Sequence, residues 1–126
     1  MNYLIVFLGA GVGGALRHGA NMLGLRMAGP DFPYATLAVN IAGSFAMGLV
    51  AGLFMLKGDL PYSWRLFLAT GILGGFTTFS AFSLDAVALY ERGEPITAAL
   101  YIAGSVTLSI IGLWVGLALV RAILAT

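Results

Sequence analysis

The residues whose types and spacing could do chemistry are concentrated between positions 71 and 83, which read Gly71-Ile72-Leu73-Gly74-Gly75-Phe76-Thr77-Thr78-Phe79-Ser80-Ala81-Phe82-Ser83. Hydroxyls donate hydrogen bonds, and a phenylalanine ring is positive at its edge and negative on its face. Phe79 and Phe82 are three apart, so on a helix they lie close to one face. Ring edges and hydroxyls together can meet an anion without a buried cation. Adjacent glycines at 74 and 75 weaken a helix, and any backbone group they release in hydrocarbon needs a partner. A break near Gly74-Gly75 is therefore expected to line a cavity or a protein contact. A second half-helix starting near Thr77 would aim unpaired N–H groups and its positive dipole end at a bound anion. Carbonyls freed from the first half-helix would favour a cation. For the two rings the plain alternative is ordinary packing, and it is the glycines and hydroxyls around them that argue against it.

The elements that must position this stretch follow from composition. Of 126 residues 60% are apolar and 9% charged, and the mean hydropathy is +1.00. This is the composition of an integral membrane protein, not of a soluble domain. Crossing roughly 30 Å of hydrocarbon takes about 20 helical residues. Four stretches are long enough, at about 2–25, 34–56, 64–90 and 96–120. The expected fold is thus a single all-α domain of four transmembrane helices, the third of them broken, with antiparallel neighbours joined by short Gly, Pro and charge-bearing loops. No Lys or Arg precedes the apolar start at Tyr3, so a cleaved signal peptide is not expected. Cysteine is absent, which excludes disulfides and thiol ligands, and a net charge of +1 suggests no nucleic-acid partner.

An even number of spans puts Lys57, Arg65 and Arg121 on one side, and Arg26, Arg92 and, by reach, Arg17 on the other. Three against three gives the positive-inside rule no direction. Dual topology with an inverted homodimer is the natural reading, and weak bias in a protein of fixed orientation is the alternative.

The remaining spans add further candidates. Gly9-Ala10-Gly11-Val12-Gly13-Gly14 matches the dinucleotide fingerprint only formally, because no strand-helix-strand alternation surrounds it. Gly9 and Gly13 read better as a helix-contact face. Arg17 lies deep enough in the first span to form an electropositive vestibule, or else it snorkels to the headgroups. His18 lacks a second metal ligand and reads as an interfacial or packing residue. Asn40, Ser44, Gly48 and Gly52 recur every four residues and share one face, where the Asn40 amide either bonds another helix or faces a polar pathway. Asp85 is an interfacial residue or a pathway acceptor that orients hydroxyls. On the fourth span Tyr101, Ser105 and Ser109 fall within an arc of about 80° and rise about 12 Å. Below them Gly112 and Gly116 form a second close-packing face. Each hydroxyl either donates to a passing anion or bonds back to the carbonyl four residues earlier.

The stretch from Gly71 to Ser83 closely resembles the third segment of the Fluc (CrcB) family of fluoride channels, and the resemblance extends to Thr36-Leu37-Ala38-Val39-Asn40, to the Tyr-Ser-Ser ladder and to the four short-looped spans. It implies a dual-topology homodimer in a bacterial plasma membrane with two antiparallel fluoride pathways. It implies that Phe79 and Phe82 present ring edges to fluoride, that Asn40 is a pore amide donor, and that Tyr101, Ser105, Ser109, Thr36 and Asp85 form a polar track. It also implies a structural sodium ion held at the dimer centre by the backbone carbonyls of Gly74 and Thr77. Arg17 resembles the arginine near the end of the family's first span. At Asp85 some relatives carry the longer Glu.

The expected function is passive fluoride export that relieves fluoride toxicity, with no nucleotide and no catalytic constellation. An enzyme is disfavoured by a single His, no Cys and no paired carboxylates. The alternative from another class is a small dual-topology multidrug/proton antiporter, for which Asp85 is the only candidate coupling acid. A third reading is a structural subunit without transport of its own.

Overall fold

A computed structural model describes residues 1–124, and among these all regular structure is helical. Helix α1 covers Asn2–Ala28, α2 covers Tyr34–Leu56 and α6 covers Pro95–Leu124. Between α2 and α6 the chain runs through α3 (Tyr62–Arg65), a π-helical stretch at Leu66–Leu73, α4 (Gly74–Phe76) and α5 (Phe79–Glu91). Local chemistry sets the boundaries. Helix α1 stops at Gly29, whose φ of 78° suits glycine, and Pro30 follows. Helix α5 is terminated at Gly93, with φ 80°, and α6 begins on Pro95, where the missing N–H costs nothing.

Three of these elements are long and apolar enough to cross a membrane: Tyr34–Leu56, Tyr62–Glu91 and Pro95–Leu124. The first helix, expected from sequence as a fourth span, is not among them. Its 27 residues are sufficient length, but Arg17, His18, Asn21 and repeated glycines dilute its apolar character.

Two glycine seams join the helices. A side chain at Gly13 would overlap the Ile72 carbonyl, and one at Gly9 would lie 2.7 Å from the Phe67 carbonyl, so α1 rests directly on the π-helical stretch. In the other seam, a side chain at Gly48 would overlap the Leu113 carbonyl and one at Gly116 the Phe45 carbonyl, so α2 and α6 touch backbone to backbone. The small-residue faces read from the sequence are the faces that pack.

The core is small. Phe82, Ala86, Leu89, Ala98 and Tyr101 form one buried cluster, with Phe32 and Leu37 packed against it. Large apolar side chains such as Phe7, Leu84, Leu100 and Trp114 remain exposed along the helices. In hydrocarbon that exposure is unopposed by water, so stability comes from close packing and satisfied backbone rather than from burial.

Candidate ion pathway

The third segment changes backbone conformation at two residues. Thr77 (φ −81°, ψ 156°) and Thr78 (φ −151°, ψ 122°) are extended, between α4 and α5. The glycine pair lies just before them and is itself helical. Gly75 is needed for proximity rather than flexibility, because a side chain there would lie 2.5 Å from the Ala10 carbonyl.

Threonine and asparagine side chains satisfy the backbone that the extended pair disturbs. Thr77 N–H and its hydroxyl both donate to the Leu73 carbonyl, at 3.0 and 2.9 Å. Thr78 N–H donates to Asn40 Oδ1 at 2.8 Å, and Asn40 Nδ2 donates to the Thr78 carbonyl at 3.0 Å. The Thr78 hydroxyl then caps α5 by accepting from Ala81 N–H at 3.1 Å. Two carbonyls lose their helical donors in consequence. In a continuous helix Gly74 would accept from Thr78 N–H and Thr77 from Ala81 N–H; both donors go to side chains instead. Donor-free carbonyl oxygens are the ligand type a hard monovalent cation takes. Among the described residues no cluster of His, Cys, Asp or Glu offers a different kind of metal site.

Asn40 thus does what one of its two sequence readings required, bonding another segment. It also lines a cleft of about 280 Å³ with Ser44, Thr78, Phe79, Phe82, Ser105 and Ser109. Only one of its two amide hydrogens is needed for Thr78, leaving the second for a ligand. Phe82 is buried and Phe79 is 77% exposed at the rim, with ring centroids 5.5 Å apart.

The serines on and near this aromatic cleft differ in the bonds they make. Ser83 bonds back to the Phe79 carbonyl at 3.0 Å. Ser105 Oγ and Ser109 Oγ are buried and have no hydrogen-bond partner. Buried hydroxyls without partners are costly and rare, so this pair in one cleft is a candidate binding place.

Tyr101 departs from the ladder. Its side chain is 1% exposed, its hydroxyl donates to Asp85 Oδ2 at 3.1 Å, and its ring packs on Phe82 at 5.3 Å and edge-on to Phe32 at 5.5 Å. Asp85 and Thr36 line a separate loop cleft of about 340 Å³ between the α1–α2 loop and the end of α5. Tyr101 is thus buried and bonded to Asp85, the residue whose expected role included orienting hydroxyls. Arg17 lines neither cleft, and its Nε is buried without a partner.

Several site residues had no assigned role in the sequence reading. Thr78 is one, although threonine ahead of an apolar helical run is a cap signal. Asn21, Asp31 and Arg92 are others; all three line the loop cleft. Arg92 donates to the Asp31 carbonyl and pairs with Glu94 at 3.1 Å.

The family model described as CrcB-like protein, Camphor Resistance (CrcB), matches residues 4–117. A protein of Rhodopseudomonas palustris named fluoride-specific ion channel FluC is 59% identical over 123 residues, covering 98% of this chain and 99% of the relative. One of Methylobacterium nodulans with the same name is 57% identical over 121 residues, covering 96% and 97%. The fluoride-specific ion channel FluC 2 of Nitrobacter hamburgensis is 55% identical over 121 residues, covering 96% and 98%. None of these names points to an antiporter. With a family match across most of its length and near-full-length relatives above half identity, the chain belongs to the CrcB family.

Proposed function

We propose that the protein is a fluoride channel, multi-pass in the bacterial inner membrane, that exports fluoride passively down its electrochemical gradient and so relieves cytoplasmic fluoride toxicity. The observation that carries this reading is the aromatic cleft, which combines two unpartnered buried hydroxyls, a half-used amide and two phenylalanine rings, with no charged side chain in its lining. Fluoride is small and strongly hydrated, so a pore must replace its water bonds without holding it too tightly. Ser105, Ser109 and the second Asn40 hydrogen supply those bonds, and the edges of Phe79 and Phe82 supply weaker ones. The first-turn N–H groups of α5, at Phe79 and Ser80, have no partner within their own helix and add positive potential. Fluoride moving on toward Thr36 and the loop cleft competes with Asp85 for the Tyr101 proton. Arg17 contributes an electropositive vestibule.

The working unit is an antiparallel homodimer formed by dual-topology insertion. The balance of basic residues on the two sides supports this, as does the exposure of Gly74 and Phe79, which a second copy would cover. In this unit the extended pair Thr77-Thr78 is the break of the third span, and the Gly74 and Thr77 carbonyls of both copies hold a structural sodium ion. When bound, sodium supplies fixed positive charge at the centre. The fit rests on the two carbonyls that lose their helical donors to Asn40 and to the Thr78 hydroxyl.

The test is efflux from liposomes carrying purified protein, followed with fluoride- and chloride-sensitive electrodes. Rapid fluoride release with very slow chloride release is expected. Equal release of both halides, or release of neither, overturns the reading. No observation favours the antiporter: Asp85, its only candidate coupling acid, is engaged by Tyr101.

A further inference from the structure

Asn40 is the residue at which the anion cleft and the two donor-free carbonyls meet. Its Oδ1 takes the Thr78 N–H at 2.8 Å, its Nδ2 holds the Thr78 carbonyl at 3.0 Å, and the same side chain lines the aromatic cleft. These bonds cross 38 positions of sequence, from α2 to the extended pair. Within a membrane a backbone N–H is best satisfied by a protein acceptor. The Thr78 N–H therefore has two destinations in protein: the Asn40 side chain, or the Gly74 carbonyl that a continuous helix would offer it.

We propose that Asn40 is a positioning residue for the cation site: by accepting the Thr78 N–H it keeps that donor off the Gly74 carbonyl and leaves the oxygen open to a monovalent cation. The proposal rests on the sodium reading given above and adds that one side chain serves both ions. Without the Asn40 acceptor, helical winding extends through Thr78, the Gly74 oxygen is filled from within its own chain, and cation affinity falls. The acceptor, not the amide donor, is the part that matters. Aspartate at this position keeps an acceptor whether or not it is protonated, so Asn40→Asp retains the cation even where its charge impedes fluoride.

The test uses purified full-length protein in detergent, titrated with sodium chloride against N-methylglucamine chloride at constant ionic strength, with melting temperature as the readout. In Asn40→Ala the apparent sodium affinity is expected to fall about tenfold, the size of one hydrogen bond's contribution. In Asn40→Asp and in Ser109→Ala it stays within about twofold of the native value, a ratio below one hydrogen bond's worth. A structural lesion alone would lower every melting temperature without shifting the sodium midpoint. Native sodium dependence in Asn40→Ala, or loss of it in Asn40→Asp, overturns the proposal. A second readout does not depend on sodium: the carbon-13 backbone shifts of Thr77 and Thr78 should move from extended toward helical values in Asn40→Ala. Shifts that remain extended overturn the proposal on their own. If the native protein itself ignores sodium, the cation reading of Gly74 and Thr77 fails, and the cation part of this proposal fails with it, while the shifts still report whether Asn40 holds the backbone open.

Discussion

The two clefts, whose lining residues Asp85 and Phe82 both touch Tyr101, are built on contrary principles. In the aromatic cleft two hydroxyls, Ser105 Oγ and Ser109 Oγ, are buried and left unpaired, and no lining residue is charged. In the loop cleft two of the charged side chains are already engaged: Asp85 with Tyr101, and Arg92 with Glu94 and with the Asp31 carbonyl. An unpaired buried hydroxyl keeps bonding capacity for a ligand, whereas an ion pair has spent it. On the proposed function, the contrast separates the part that would strip an ion of water from the part that would lead to it.

Substitutions can break that contrast, and the largest effect is expected at the rings. Replacing Phe79 and Phe82 together by Ile keeps bulk but removes both ring edges. Fluoride efflux from liposomes should fall about 100-fold, taking each edge as worth roughly one factor of ten. Next come Ser105→Ala and Ser109→Ala, each expected to reduce efflux about tenfold, one hydrogen bond's worth. Their sharper signature is thermal. Removing a hydroxyl that has no partner leaves the melting temperature unchanged or raised, by up to about 1 kcal/mol of stability. A marked drop in melting temperature would show that the hydroxyls are structural after all.

Smaller effects belong to the loop cleft. Asp85→Asn still accepts from Tyr101 but loses the charge that strengthens the bond, which should cost about 1 kcal/mol in unfolding measurements and lower efflux a few-fold at most. Arg92→Gln removes a pair whose side chains are nearly half exposed, so stability should change by no more than about 0.5 kcal/mol and efflux by less than twofold. If Asp85→Asn were as damaging as the double ring variant, the proposed division between the clefts would be wrong.

Much of this arrangement is legible in the sequence, for reasons that can be named. Helix ends at Gly29-Pro30 and Gly93–Pro95 are marked by residues whose backbone preferences are local. The glycine faces are marked by four-residue spacing, and Gly48 and Gly116 lie where that spacing puts them. What was not legible depends on partners distant in sequence. The conformational change falls at Thr77-Thr78, just after the glycine pair, because Asn40 supplies the acceptor there. Spacing alone aligns Tyr101 with the two serines, but only the fold brings Asp85 to its hydroxyl. The first helix shows the limit from the other direction. Its length was plain, but its polar and glycine content leaves it outside the set of helices apolar enough to cross a membrane.

The π-helical winding of Leu66–Leu73 has one more consequence. Its hydrogen bonds close five residues apart instead of four, so relative to an α-helix it accommodates surplus chain in the same length. Deleting a single residue from it would let the coil tighten to the commoner form with little change in the phase of Trp64 and Arg65, whereas the same deletion from an α-helix would turn them by about 100° relative to the rings beyond. The exposed start of the segment at Trp64 and its ring-bearing end at Phe79 and Phe82 are thus kept in phase by the wide coil, which takes up the surplus as a gear train takes up one extra tooth.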